Sequence, residues 1–164
     1  MKKKLNTKDF VAKIEKMAKD RMRSGEVVSL QNFRQLKSKT EPATLLLIDD
    51  DDTVRGSLRR LLEHDGHRVL SAADGTQLSD VLDDTPIDLI ILDVGLPWIN
   101  GFELAALMRE HEELKKIPII FISAMVSDAD IKRGFEVGAA DYIKKPFDPS
   151  KVQKTVKTIL DLAR

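Results

Sequence analysis

Apolar positions in this chain alternate between two patterns. Short unbroken runs recur at Leu45–Ile48, Leu89–Leu92 and Ile119–Ile122, with shorter ones at Val69-Leu70 and Tyr142-Ile143. Runs of about four apolar residues bounded by polar or turn residues suit strands buried on both faces. Between them, apolar residues recur three or four positions apart, the spacing of one helix face. Val54, Leu58, Leu61 and Leu62 form one such stripe, ending near Asp65-Gly66. Leu78, Val81 and Leu82 form a second, before Pro86. A third opens at Gly101 with Phe102, Leu104, Ala105, Leu107 and Met108. Ile131, Phe135 and Val137 mark a fourth, stopped by Gly138, and Pro149 opens a fifth with Val152, Val156, Ile159 and Leu160. Five strands alternating with five helices predict an α/β fold, a doubly wound five-stranded parallel sheet.

The residues just past each run carry the chemistry. Leu45–Ile48 ends in Asp49-Asp50-Asp51-Asp52, Leu89–Leu92 in Asp93, and Ile119–Ile122 in Ser123. Tyr142-Ile143 leads through Lys144 to Lys145-Pro146. Ligand sites of parallel α/β sheets lie at the carboxyl ends of the strands. If these runs are parallel neighbours, Asp49, Asp50, Asp93, Ser123 and Lys145 converge in one crevice. Like charges about 4 Å apart repel by roughly 4 kcal/mol at an effective dielectric near 20, so crowded carboxylates need a cation or a proton. All-oxygen donors select a hard ion, and a site open to water and phosphate fits magnesium best. Lys145 suits a phosphoryl oxygen as a mobile point charge, and Ser123 adds one adaptable hydroxyl.

Taken singly, each residue has a plainer explanation. Asp51 and Asp52, just ahead of Thr53-Val54-Arg55, suit helix caps, where Asp is strongly preferred. Asp93 alone is a loop acid, Ser123 a strand-end hydroxyl, and Lys145 a solvated amine. Their joint occurrence, each at the end of an apolar run, is what favours a site.

Four segments resemble the receiver domain of bacterial two-component response regulators. They are Leu46–Arg55, Leu92–Gly101, Phe121–Ala124 and Gly138–Phe147, within residues 43 to 164, three quarters of the chain. The resemblance implies a flavodoxin-like strand order of 2-1-3-4-5. It implies that Asp93 is the phosphoacceptor, attacking a phosphohistidine on a histidine kinase or a histidine phosphotransfer protein. It implies that Asp50 binds Mg2+ directly, Asp49 mainly through water, and the Gly95 carbonyl completes the protein's share. Lys145 would pair with Asp93 and then hold a phosphoryl oxygen. Ser123 would swing toward the phosphoryl group, and the Tyr142 ring would change rotamer with it. Pro146 matches a proline that usually follows a cis peptide. Asn100 stands where an acid is common, and an Asn-Gly turn serves the same backbone purpose. Gly95 and Met125, two positions past Asp93 and Ser123, are apolar where the family tunes the lifetime of its acyl phosphate.

Composition narrows the classes further. There is no cysteine, so disulfides and thiol chemistry are excluded. His64, His67 and His111 show no metal-like spacing and are read as surface or packing residues. No apolar stretch approaches the ~18 residues of a membrane span, and Met1-Lys2-Lys3-Lys4 leads into no signal-peptide core; a cytoplasmic protein is expected.

Overall neutrality hides an asymmetry: residues 1–41 carry a net +7 and residues 42–164 a net −7. The first segment is expected to be a basic helical extension with a linker, the second the receiver domain. A helix from about Thr7 to Arg23 would gather Phe10, Val11, Ile14, Met17, Ala18 and Met22 on one face, ahead of Ser24-Gly25. A short second helix carries Leu30, Phe33 and Leu36. The apolar face must be buried somewhere: on the receiver, on its copy in a homodimer, or on a downstream protein target. Nucleic-acid binding through Lys2, Lys3, Lys4, Lys13, Arg21 and Arg23 competes with these. It is disfavoured, because no complete helix-turn-helix is visible.

The sequence ends at Arg164, directly after the last predicted helix. The expected output is therefore protein binding, phosphoryl relay, or a role of the extension. In this family the face of the fourth helix, fifth strand and fifth helix is the output surface; here it should include Lys132, Arg133, Tyr142, Lys144 and Val152. Two rivals remain. A phosphate-independent scaffold leaves the full acid, hydroxyl and lysine set unexplained. A magnesium-dependent phosphohydrolase usually carries a second acid two positions past its nucleophile, where this chain has Gly95.

Overall fold

The computed structural model describes residues 41–163 and, ahead of them, Val11, Ala12 and residues 14–16. The chain divides into two units, residues 1–39 and 40–164. In the first, the five described residues are helical, inside the predicted helix from Thr7 to Arg23. The other residues of that helix, the second helix and the linker up to Thr40 lie outside the described residues.

In the second unit, strands and helices alternate without exception. The strands are β1 (Thr44–Ile48), β2 (Arg68–Ala72), β3 (Leu89–Leu92), β4 (Ile119–Ser123) and β5 (Asp141–Lys144). The helices are α1 (Asp52–His64), α2 (Gly75–Asp84), α3 (Gly101–Glu110), α4 (Asp128–Glu136) and α5 (Pro149–Ala163). The sheet has the order β2-β1-β3-β4-β5 and every pairing is parallel. No helix among the described residues is long and apolar enough to cross a membrane.

The helix starts are written in the sequence. Asp51, Asp74, Asn100 and Ser127 cap the first four helices, each accepting from backbone N–H groups of the first turn. Ser127 and Asp130 complete a reciprocal capping box. Of the two acids expected to cap α1, only Asp51 does; Asp52 is the first helical residue and pairs with Arg55. Gly66 and Gly138 follow the ends of α1 and α4 with φ of 92° and 94°, a left-handed conformation that side chains disfavour.

Alternation along the strands sends successive side chains to opposite faces, building two cores. Leu45, Leu47, Leu89, Ile91, Ile120, Ile122 and Ile143 meet Leu58 and Leu62 of α1 and Val152, Val156, Ile159 and Leu160 of α5. Leu46, Ile48, Ile90, Leu92, Ile119, Phe121 and Tyr142 meet Leu78 of α2 and Phe102, Leu104, Ala105 and Met108 of α3, with Ile131 of α4 packed against them.

Three apolar expectations differ from what is found. Leu107 and Phe135 are exposed, because the buried faces of α3 and α4 run through Ala105 and Met108 and through Gly134. Val152, expected on the output surface, is fully buried in the α1–α5 core. Among the histidines, His64 and His111 are exposed. His67 is a buried packing residue whose Nδ1 accepts from the Ala43 N–H at 3.1 Å.

Candidate phosphorylation and metal site

Register alone brings the first two acids together. β1 and β3 are neighbours, with Ile48 opposite Leu92, and the next residue on each is an aspartate. The Asp93 N–H donates to the Ile48 carbonyl at 2.9 Å. Asp49 and Asp93 are both buried, while Asp50, one residue on, is exposed. One oxygen from each of these three carboxylates lies within 4.8 Å of the others.

Lys145 comes from β5, across β4. Its backbone N–H is held by the Ser123 carbonyl at 2.9 Å, and its peptide bond to Pro146 is cis. Its Nζ donates to Asp49 Oδ2 at 2.7 Å and to Asp93 Oδ2 at 3.0 Å. The remaining oxygens accept from backbone: Asp49 Oδ1 from Asp51 N at 2.9 Å, and Asp93 Oδ1 from Gly95 N at 3.3 Å.

Burial pushes the Asp49 carboxyl above its ordinary range; the Lys145 ammonium and the Asp51 N–H oppose this, and the Asp93 charge adds to it. Burial alone would lower the Lys145 amine, but its hydrogen bonds to Asp49 and Asp93 outweigh that and raise it. One ammonium thus serves two of the three clustered carboxylates. The uncompensated charge and the hard oxygen donors fit a divalent ion such as Mg2+.

Ser123 and Tyr142 meet on the backbone of Met125. Ser123, buried at the end of β4, accepts from the Met125 N–H through Oγ at 3.2 Å. The Tyr142 hydroxyl donates to the Met125 carbonyl. Tyr142 is 7% exposed, and burial raises its hydroxyl above the ordinary value. Its ring lies 5.8 Å from that of Phe121, which meets Phe102 edge-on at 5.1 Å. Gly95 is exposed in the loop after Asp93 and bridges to Asn100.

Three parts of the site were not foreseen. Arg55 donates from Nη1 to the Asp49 carbonyl at 2.6 Å, and nothing in its local sequence marks it. The Met125 backbone joins Ser123 to Tyr142 whatever its side chain. Gly101 opens α3, as the apolar pattern predicts, and its close fit against the Asp93 backbone is the third. A Cβ there would overlap the Asp93 carbonyl oxygen and lie 2.6 Å from Val94 Cα. The glycine is required by close approach, not by turn conformation.

Known proteins resemble this chain in sequence and fold. The family model for the response regulator receiver domain matches residues 45–157. The transcriptional regulatory protein YvrH of Bacillus subtilis is 39% identical over 121 residues, which cover 73% of this chain and 50% of that protein. CpxR of Escherichia coli, also a transcriptional regulatory protein, is 41% identical over 117 residues, covering 71% and 48%. The chain thus spans about half the length of the curated relatives it matches. A response regulator from Chloroflexus aurantiacus superimposes with a TM-score of 0.69 at 39% identity, over 74% of this chain and 99% of that one. The chemotaxis protein CheY4 of Vibrio cholerae does so with a TM-score of 0.67 at 30% identity, over 73% and 99%. The chain belongs to the response regulator receiver domain family, the phosphorylatable signalling switches of two-component systems.

Proposed function

We propose that Asp93 is the residue phosphorylated in this chain and that the receiver domain, residues 42–164, passes the signal on by protein–protein contact. The observation that carries this reading is the double hydrogen bond of Lys145 Nζ to Asp49 and Asp93. It holds one Asp93 oxygen beside a cation at the mouth of the sheet. In the proposed step, an Asp93 oxygen attacks the phosphorus of a phosphohistidine on a histidine kinase or a histidine phosphotransfer protein. A P–O bond forms, the P–N bond breaks, and the imidazole leaves as the neutral ring on taking up a proton. Lys145 shifts its hydrogen bonds from carboxylate to phosphoryl oxygens. Ser123 turns its hydroxyl from Met125 to the same group.

Asp49, Asp50, Asp93 and the Gly95 carbonyl would hold Mg2+, which when bound neutralises the charge gathered on the phosphoryl oxygens. The same residues account for phosphoryl uptake from small donors and for hydrolysis of the acyl phosphate. Residues 1–41 form a separate basic extension in this reading. Membership of the receiver-domain family supports action in the cytoplasm. A homodimer and a downstream protein target are the proposed output partners. DNA binding comes second, supported by relatives named as transcriptional regulatory proteins and by the +7 charge of residues 1–41.

Intact mass after incubation with acetyl phosphate and magnesium tests the reading. Wild type should gain one phosphoryl group, and Asp93→Asn none. A folded wild-type protein that takes up none, from acetyl phosphate or from a phosphorylated histidine phosphotransfer protein, would sink it.

A further inference from the structure

α4 carries a glycine in its interior, although glycine is the poorest helix former after proline. Gly134 is buried and has ordinary helical backbone; its φ is not positive. Conformation therefore does not call for it. Space does. A Cβ at this position would lie 2.8 Å from Tyr142 Cδ2, 3.1 Å from Tyr142 Cε2 and 3.3 Å from Phe121 Cδ2. Real Cβ atoms essentially never approach a carbon to 2.8 Å, so the ring would have to move. The atoms in the way belong to a ring fixed at both ends. Its hydroxyl donates to Met125, and its body packs against Phe121.

The rest of the cluster closes off small adjustments. Phe121 is fully buried and is backed by Phe102 in the first turn of α3. The Arg133 guanidinium, next to Gly134 in sequence, sits 5.1 Å from the centre of the Phe102 ring. α4 is thus held down at Arg133 and meets the Tyr142 ring directly at Gly134. Displacing the ring sets the Gly134 contact against its bond to Met125.

We propose that Gly134 is a positioning residue: the side chain it lacks is the space in which the Tyr142 ring lies inward. This rests on the proposed phosphorylation of Asp93. It adds that the inward ring, admitted by Gly134, is what ties the Ser123–Met125 segment to α4. A larger residue at 134 leaves Asp93 chemistry intact and severs its link to the α4 surface.

Tyr142 is the sole tyrosine of the chain, so 3-fluorotyrosine labelling of the full-length protein gives one fluorine resonance to follow. In resting wild type the signal should be shielded from a soluble paramagnetic agent. In Gly134→Ala its relaxation by the agent should rise several-fold. The rate of phosphoryl uptake from acetyl phosphate should be unchanged, and the fluorine shift that accompanies uptake in wild type should be lost. A folded Gly134→Ala protein with a shielded ring, whatever its melting temperature, overturns the proposal.

Should Gly134→Ala fail to fold, the Tyr142→Ala background decides. With the ring gone, only the 3.3 Å approach to Phe121 remains, so Ala at 134 should fold in that background. A double variant that still fails to fold, beside a folded Tyr142→Ala, also overturns the proposal. The resting-state comparison needs no phosphodonor, so it judges Gly134 separately from the phosphorylation of Asp93.

Discussion

The two faces of the sheet are built from different materials. The face under α1 and α5 is aliphatic throughout its buried core, from Leu45 and Leu58 to Val156 and Leu160. The face under α2, α3 and α4 holds the buried aromatics Phe102, Phe121 and Tyr142, with Met108 and the edge of Trp98. Aliphatic side chains interlock in one arrangement, so this face serves as a fixed floor. A ring such as Tyr142 pivots about one bond and carries a hydroxyl that takes different partners. Ser123 continues the row of Ile119 and Phe121 toward that second face, so the group proposed to sense phosphate sits over the layer able to respond.

The largest test removes a floor residue. Leu62→Ala should cost about 2–5 kcal/mol of stability, the range for emptying a buried leucine site, by chemical denaturation. The fluorine signal of Tyr142 should stay where it is. A change in that signal would break the distinction between the two faces.

Lys145→Met should come next. It strips the cation from two buried carboxylates, and because Lys145 is itself partly accessible, roughly 1–3 kcal/mol is expected, below the ~3–5 kcal/mol of a fully buried pair. The folded-state value of Lys145 is raised above 10.5, so its contribution is complete below that pH and is lost as pH rises through the higher value. Denaturation titrated into strong alkali should show this loss in wild type and not in Lys145→Met.

Asp51→Ala should cost about 1 kcal/mol, the usual loss of an Asp cap, by starting α1 without its acceptor. It should leave phosphoryl uptake at the wild-type rate, which separates Asp51 from Asp49 and Asp50.

The smallest effect has the opposite sign. Asp49 is raised above 3.8, so the fold disfavours its charge at neutral pH, and this penalty vanishes as pH falls through the raised value. Asp49→Asn should therefore raise the melting temperature slightly without metal and abolish the further rise on adding magnesium. A lower melting temperature would mean that the bond to Lys145 outweighs burial.

Much of this was legible because the local signals agree. The apolar runs become β1, β3 and β4, since a strand buried on both faces has no polar positions to alternate. α5 buries all four residues that its spacing marked. Asp49, Asp50, Asp93 and Lys145 were legible as a cluster because each follows a strand and all strands point one way. Legibility failed where one residue answers to a distant neighbour. Phe135 has the right spacing for the core and is exposed, because the Tyr142 ring takes the face of α4 that Gly134 leaves open. Val152 was marked for the core by its spacing and for the output surface by the resemblance; it is buried, because α5 packs on the Ile143 side of the sheet.

The sequence by itself determined the alternating order of elements, the helix starts at Asp51, Asn100 and Ser127, and the acids that end β1 and β3. These depend on hydrogen bonds and burial within a few residues. Only the tertiary structure decided that Lys145 reaches Asp49 as well as Asp93, that Gly101 is fitted against Asp93, and that Gly134 makes room for Tyr142. Those are distances between strands and helices far apart in the chain, and no local pattern encodes them.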